Sequence, residues 1–329
     1  MLPGFRVHKT RWIKKVALLC LLVCLLFICY QLFYGGRPGS VNNTGPCEIL
    51  AHRGVHVNWR RGAYDRATGC EAQHIYKPRT RYIENTIASM DAAFAMGATI
   101  VEIDIRRTAD DHLVVFHDYM LECRTNGSGY VRDKPLAYLK TLDIGFGYTH
   151  DQGKTFPFRG RGIGLMPTFQ EVLRAFPDKR FLLDDKDGPL ETTALLAEVI
   201  KTLPREKQEL LYYWGRPDNY LLLKQEAPAV KRLFMTRREG KKCFLHYLVT
   251  LGLSGFPEES RGLVLVLRPK HTRYMWGWPY RFIRHIHNAG ASFYLYLDTA
   301  EDAKKYAHLP LDGVVTDSVA QVAPYFTRD

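Results

Sequence analysis

The chain has 329 residues, 46% hydrophobic and 24% charged, with a formal charge of +12. Its apolar content is that of a globular protein, and the length allows one large domain with an appendage. No tract is low in complexity and no internal repeat points to a solenoid. The basic residues form no recognised nucleic-acid module, so the charge is read as fitting an anionic substrate or a membrane surface.

The first 15 residues carry Arg6, Lys9, Arg11, Lys14 and Lys15 and no acid. Residues 16–33, VALLCLLVCLLFICYQLF, follow without a charge. At about 1.5 Å per residue such a run just crosses a bilayer as a helix. Tyr30 and Tyr34 stand where an interfacial aromatic belt belongs. Basic residues precede the run and only Arg37 follows closely, so the N-terminus is expected in the cytoplasm and the rest on the far side. A cleaved signal peptide is the rival reading. The run exceeds a usual signal core and no small-x-small site directly follows it, which favours an uncleaved anchor. The expected division is therefore a basic segment 1–15, a transmembrane anchor 16–34, a Gly/Pro-rich tether 35–46 and one domain over 47–329.

Cys20, Cys24 and Cys29 lie in the apolar run. Cys47, Cys70, Cys123 and Cys243 lie beyond it, where disulfides are permitted, and three pairings stay open.

From Glu48 onward, short apolar runs alternate with helical patterns. Strands are expected at 48–54, 100–105, 113–118, 180–185, 210–214, 232–236, 262–268, 292–298 and 313–317. Amphipathic helices are expected at 84–97, 168–176, 280–290 and 300–309. This alternation predicts a parallel sheet with helices outside, and eight such strands close a (β/α)8 barrel. The link from Ile105 to Leu113 is too short for a parallel crossover, so 113–118 should fold back on 100–105 as a hairpin. A turn centred near Ala109-Asp110 would set Glu102 opposite His117. Two long insertions, 55–83 and 119–166, leave the strand ends where barrel sites form and are expected to act as lids or substrate-binding elements.

Glu102 and Asp104 share one face of their strand because side chains alternate. Two inward carboxylates repel each other unless a hard divalent cation, Mg2+ or Ca2+, lies between them. The Asp184-Asp185-Lys186-Asp187 cluster ends a later strand and can complete that site. Two histidines, His52 and His117, end separate runs and suit acid–base chemistry. Arg53 and Lys186 suit a phosphate. Together these residues argue phosphoryl transfer.

Their order carries more. His52-Arg53-Gly54, Glu84-Asn85-Thr86, Glu102-x-Asp104, His117-Asp118, Pro167-Thr168, Asp184-x-Lys186 and a closing Asp312-Gly313-Val314-Val315-Thr316-Asp317 resemble the glycerophosphodiester phosphodiesterase family. The likeness covers roughly residues 48–325. It implies a TIM barrel that hydrolyses glycerophosphodiesters to glycerol phosphate and an alcohol. It implies that His52 and His117 are the acid/base pair and that Glu102, Asp104 and Asp184 bind the cation. Glu84 would lie near the cation, and Arg53 and Lys186 would hold the phosphate.

Three departures are visible. Asp184 stands where the family usually has Glu, one methylene longer, so the cation must shift or Asp185 or Asp187 must help. The segment before Glu84 is unusually long. Tyr294, Leu295 and Tyr296 occupy the region where members often carry Trp. The substrate is therefore read as a glycerophosphodiester or a lysophospholipid, with no obligate protein partner. The rival readings are a barrel phospholipase of the sphingomyelinase D or phosphoinositide phospholipase C kind, and a non-catalytic phospholipid-binding barrel.

Overall fold

The computed structural model describes residues 5–35, 45–60, 62, 70–186 and 188–327. The tether residues 36–44, with Arg37, and Arg61, Arg66 and Asp187 lie outside the described residues, as do the side chains of Gln31 and Tyr34. The first helix, α1 (Phe5–Gly35), begins well before the apolar run. Its stretch Trp12–Tyr30 is apolar enough to cross a membrane, with a mean hydropathy of 2.4, a test that a signal sequence passes equally.

Strands form at every expected run: β1 (Glu48–His52), β2 (Ile100–Arg107), β3 (Leu113–Val115), β4 (Arg180–Asp185), β5 (Leu211–Trp214), β6 (Lys231–Arg232), β7 (Val264–Leu267), β8 (Ser292–Tyr296) and β9 (Gly313–Thr316). Eight pair in parallel in the order β6-β5-β4-β2-β1-β9-β8-β7. Phe234, just past β6, bridges Val264 of β7. The Val264 N–H donates to the Leu233 carbonyl at 2.8 Å and the Met235 N–H to the Val264 carbonyl at 3.1 Å, which joins the two ends of the sheet. The result is the TIM barrel that the alternation predicts.

Strand alternation sorts the side chains. Val101, Ile103 and Ile105 of β2 face outward into the core beneath the helices. Leu50, Ile100, Leu182, Tyr294 and Val315 fill the barrel interior below the mouth. Each such aliphatic side chain stabilises the fold by roughly 1.5–3 kcal/mol. Helices start where the sequence supplies caps: Thr86 caps α2 (Ile87–Ala95) in a box with Ser89, and Thr168 and Thr236 do the same with Glu171 and Glu239.

The ninth strand, β3, is the expected hairpin arm, antiparallel to β2. Its register differs by one residue from the expectation, with Ile105 opposite Val115 and Arg107 opposite Leu113. The loop is the reason. Thr108 pairs with His112 through a 2.9 Å backbone bond, leaving three residues between them, and Asp111 takes the left-handed φ of 56° that three-residue hairpins need. Glu102 and His117 are thus not cross-strand partners.

The two insertions pack against each other. Val57, Trp59, Ile75 and Ile83 of the first pack with Leu121, Leu142, Tyr148 and Phe158 of the second in a separate small core. A Cys70–Cys123 disulfide, with Cα atoms 5.4 Å apart, ties them together, while Cys47 and Cys243 remain outside any disulfide.

Candidate active site

The same alternation that builds the interior delivers polar groups to its upper end. Register sets His52 beside Glu102 across β1 and β2, and Asp104 beside Asp184 across β2 and β4. The carboxylates of Glu102, Asp104 and Asp184 each offer an oxygen within 4.8 Å of the others, and all three residues are buried. Asn85 donates to Asp104 Oδ2 at 2.7 Å. Lys186 Nζ lies 3.2 Å from Asp104 Oδ1 and also pairs with Asp184.

One lysine does not balance three buried acids. Burial, then Asp104 and Asp184, push the Glu102 carboxyl well above its usual range. Burial raises Asp184 too, against Lys186. Asp104 goes the other way: burial opposes its ionisation, but Lys186, His117 and Arg53 hold it well down. Glu102 Oε1 is buried and finds no hydrogen-bond partner among the described residues. An all-oxygen cluster with excess negative charge and an unsatisfied oxygen fits a hard divalent cation. Of the alternatives left open for Asp184, help from Asp185 is the one the structure removes. The Asp185 carboxylate faces the outer layer, where it accepts from Thr193 Oγ1 at 2.5 Å and Tyr213 OH at 3.0 Å.

Two histidine–aspartate pairs adjoin this cluster. His52 Nδ1 lies 2.6 Å from Asp317 Oδ1, and His117 Nδ1 lies 2.6 Å from Asp118 Oδ1. With Nδ1 donating to a carboxylate, Nε2 is left as the exchanging nitrogen. His52 Nε2 comes within 3.9 Å of Glu102 Oε2. Burial, and after it Arg53, push the His52 imidazole down to about 4 against the pull of Asp317. Burial works against ionisation of Asp317, but His52 and His56 hold it well below the carboxylate range. Tyr296 OH donates to Asp317 Oδ1 at 2.9 Å and carries Arg268 on its ring, 3.8 Å from the centroid.

The turn after β1 is strained for a purpose. Arg53 has a left-handed φ of 58°, costly for a residue with a Cβ. That conformation directs its N–H to Glu102 Oε2 at 3.0 Å. Gly54 follows at φ 75°, where a Cβ would sit 2.9 Å from the Ser89 backbone. The Arg53 guanidinium is 3% exposed and reaches Glu71 at 2.7 Å, Glu84 at 3.0 Å and Asp104 at 3.3 Å. Arg124 meets the same Glu71 and Glu84 at 2.8 and 2.9 Å, and Asp118 at 2.9 Å. Glu84 therefore pairs two arginines and is not one of the three clustered acids.

All eight residues singled out in the sequence thus come to one mouth. Those missed are His56, Glu71, Arg124, Arg268 and the role of Asp317. Asp317 closes a quoted motif at a strand end and was within reach. Glu71 and Arg124 sit in the insertions, with no local pattern to mark them.

A parallel barrel whose mouth joins an acidic cluster to two histidine–aspartate pairs has the layout of a barrel hydrolase. The model of the glycerophosphoryl diester phosphodiesterase family matches residues 52–321, and the chain belongs to that family. It is 34% identical over 152 residues to a glycerophosphodiester phosphodiesterase of Caldanaerobacter subterraneus, covering 45% of this chain and 59% of that protein. It is 27% identical over 162 residues to a mouse lysophospholipase D, covering 47% of this chain and 48% of the relative. Matches to these relatives thus span about half of their length.

Among solved structures, a phosphodiesterase domain from Mycobacterium tuberculosis aligns with TM-score 0.61 at 17% identity, covering 85% of this chain and 98% of that one. A glycerophosphodiester phosphodiesterase of Agrobacterium tumefaciens aligns with TM-score 0.56 at 21% identity, covering 84% and 99%. An Oleispira antarctica phosphodiesterase in complex with its product sn-glycerol-3-phosphate gives 0.54 at 21%, covering 85% and 96%. Likeness at these identities concerns the fold.

Proposed function

We propose that this protein is a metal-dependent phosphodiesterase that hydrolyses glycerophosphodiesters to a glycerol phosphate and an alcohol. One observation carries the reading: two histidines, each held through Nδ1 by an aspartate at 2.6 Å, adjoin one cluster of three buried acids. One imidazole accepts the proton of the attacking hydroxyl as a new P–O bond forms. The other delivers a proton to the leaving alkoxide as the old P–O bond breaks. When the attacking hydroxyl is the substrate's own, that step leaves a cyclic phosphate; water then opens it with the two histidines exchanging roles, which gives the glycerol phosphate and returns both to their starting states.

Glu102, Asp104 and Asp184 would hold the divalent cation, Mg2+ or Ca2+, and such a cation polarises a phosphoryl oxygen when bound. Lys186 is the residue best placed to contact the phosphate, since it already sits at the edge of the acid cluster. Arg53, paired with three carboxylates, orients Glu102 through its backbone N–H and adds positive potential. The mouse relative named as a lysophospholipase D supports a phosphodiester carrying glycerol as the common substrate feature. We further assign α1 as an uncleaved membrane anchor with its basic end in the cytoplasm, which sets the barrel outside it.

The test is product analysis. The full chain, in lipid nanodiscs, is incubated with glycerophosphocholine and glycerophosphoethanolamine in Mg2+, Ca2+ or EDTA and followed by phosphorus NMR. Glycerol phosphate that forms only with a cation supports the assignment. A folded protein that makes none with either cation refutes it.

A further inference from the structure

The helix Arg237–Val249 turns Cys243 and Tyr247 into the core. At 3.6 residues per turn, Arg238, Lys241, Lys242, Leu245 and Val249 fall on its opposite face. Leu245 and Val249 are 60% and 72% exposed, and Leu253, just past the helix end, is 63% exposed. A lone exposed leucine is ordinary, but a succession of such side chains at one helix end marks a contact surface.

This face is graded along its length. Its first half is cationic, with Arg238, Lys241 and Lys242 all exposed. Of the neighbouring acids, Glu239 is turned back on Thr236 and Arg232, and Glu259 lies 3.4 Å from Lys242. Its second half and the turn beyond are apolar. That turn is held in place. Leu251 and Gly252 take left-handed φ angles of 54° and 65°, and a Cβ on Gly252 would lie 2.9 Å from that of Trp276.

The surroundings of this end say what covers it. Phe27 of α1 packs on Trp276, with ring centroids 5.9 Å apart, and Arg281 lies 5.3 Å over the ring of Tyr30. Trp276 Nε1 donates to the Leu248 carbonyl at 3.3 Å, and Arg281 to the Gly252 carbonyl at 3.0 Å. Phe27 belongs to the apolar stretch Trp12–Tyr30, about 4.5 Å of helix from its end. Side chains that touch Phe27 therefore stand at the edge of any bilayer this stretch crosses. The apolar helix end, bonded to the same Trp276 and Arg281, stands there too. Lys242 is roughly 10 Å of helix back from Val249, which suits cations at the headgroups and apolar side chains at the acyl boundary.

We propose that Leu245, Val249 and Leu253 dip into the leaflet at which α1 ends, while Arg238, Lys241 and Lys242 meet its anionic headgroups. The barrel then lies on the membrane by a defined face, through a second contact besides α1. The proposal rests on the reading of α1 as an uncleaved anchor.

The test places the full chain in nanodiscs of phosphatidylcholine, with or without phosphatidylglycerol. A membrane-partitioning diazirine is photolysed there, with glutathione in the buffer as scavenger, and labelled residues are read by peptide mass spectrometry. Label is expected in α1 and at Leu245, Val249 and Leu253. Leu221 and Ile163, 63% and 62% exposed elsewhere on the protein, serve as controls. The patch should exceed them by at least about tenfold, the bias that burial of one leucine-sized side chain gives. Phosphatidylglycerol should raise the patch signal relative to α1, and Arg238→Gln, Lys241→Gln and Lys242→Gln together should cancel that rise. Leu245→Glu, Val249→Glu and Leu253→Glu together should remove the patch signal and leave the melting temperature unchanged, since all three side chains are exposed.

Label in α1 with a patch no stronger than Leu221 overturns the proposal and leaves the anchor. Label in neither, or a chain that starts beyond residue 34, removes the anchor reading and the proposal with it. Two chains per nanodisc with the patch unlabelled overturn it in favour of a second copy as the cover. A patch signal indifferent to phosphatidylglycerol removes the role given to the cations.

Discussion

Arg53 and Arg124 are held side by side by the same two carboxylates, Glu71 and Glu84, at 2.7–3.0 Å. Arg53 belongs to the first strand's turn, Arg124 to the second insertion and Glu71 to the first. The cage therefore fastens both insertions to the barrel at the catalytic mouth. Both guanidiniums are nearly inaccessible, so losing a partner strands buried charge. Glu71→Ala should cost roughly 3 kcal/mol, seen as a lowered melting temperature. A variant as stable as the wild type would show that the cage is dispensable.

The cage also sets an acid limit. Burial opposes ionisation of Glu71, but Arg53 and Arg124 hold its carboxyl well below the usual range. Asp118 is likewise held at about 2, against burial, by Arg124 and His117. A folded-state value below the unfolded value of about 4 stabilises the fold above that pH. The contribution is lost as pH falls through the folded value. Melting temperature should therefore fall progressively between about pH 4 and pH 2, and Asp118→Asn should flatten that part of the curve. A curve of unchanged slope in the variant would contradict the assignment.

Three clustered acids make a prediction that needs no substrate. Saturating Mg2+ or Ca2+ should raise the melting temperature, by about 2.7 kcal/mol of stabilisation at one hundred times the dissociation constant. EDTA should reverse it. Without a cation, Glu102→Gln should match or exceed the wild type, because it removes a carboxyl that burial, and after it Asp104 and Asp184, already push toward the neutral form. With a cation, the same variant should lose most of the stabilisation. A cation shift that survives Glu102→Gln would move the site elsewhere.

The disulfide closes the two insertions across a separation of 53 residues. Loop-closure entropy for that span amounts to about 4 kcal/mol. Peptide mapping without reductant should recover Cys70 joined to Cys123, with Cys47 and Cys243 as thiols. The paired Cys70→Ser, Cys123→Ser variant should melt earlier. Any other pairing would contradict the packing of the insertions.

Much of the barrel is legible in the sequence because its logic is local. Alternation of apolar runs marks every strand, and strand periodicity alone puts Glu102 and Asp104 on one face. The features that escape it are set by geometry that composition does not display. A turn centred on Ala109-Asp110 is the simplest reading of the hairpin, but the left-handed Asp111 lengthens the loop by one residue and shifts the register. Asp185 looks like a metal ligand in a run of acids, yet the alternation that turns Asp184 inward must turn Asp185 outward, to Thr193 and Tyr213. Glu71 and Arg124 become neighbours of the site only through the packing of two insertions, which no spacing in the chain reveals.

The most direct measurement is kcat for glycerophosphocholine, at saturating cation, in His52→Ala, His117→Ala and the double variant. Removing either histidine should lower kcat by about 10²–10⁴-fold with the cation-induced rise in melting temperature intact. The double variant should fall less than the product of the two, as groups acting on one proton path do. Either single variant within tenfold of the wild type would contradict the claim that these two histidine–aspartate pairs carry the reaction.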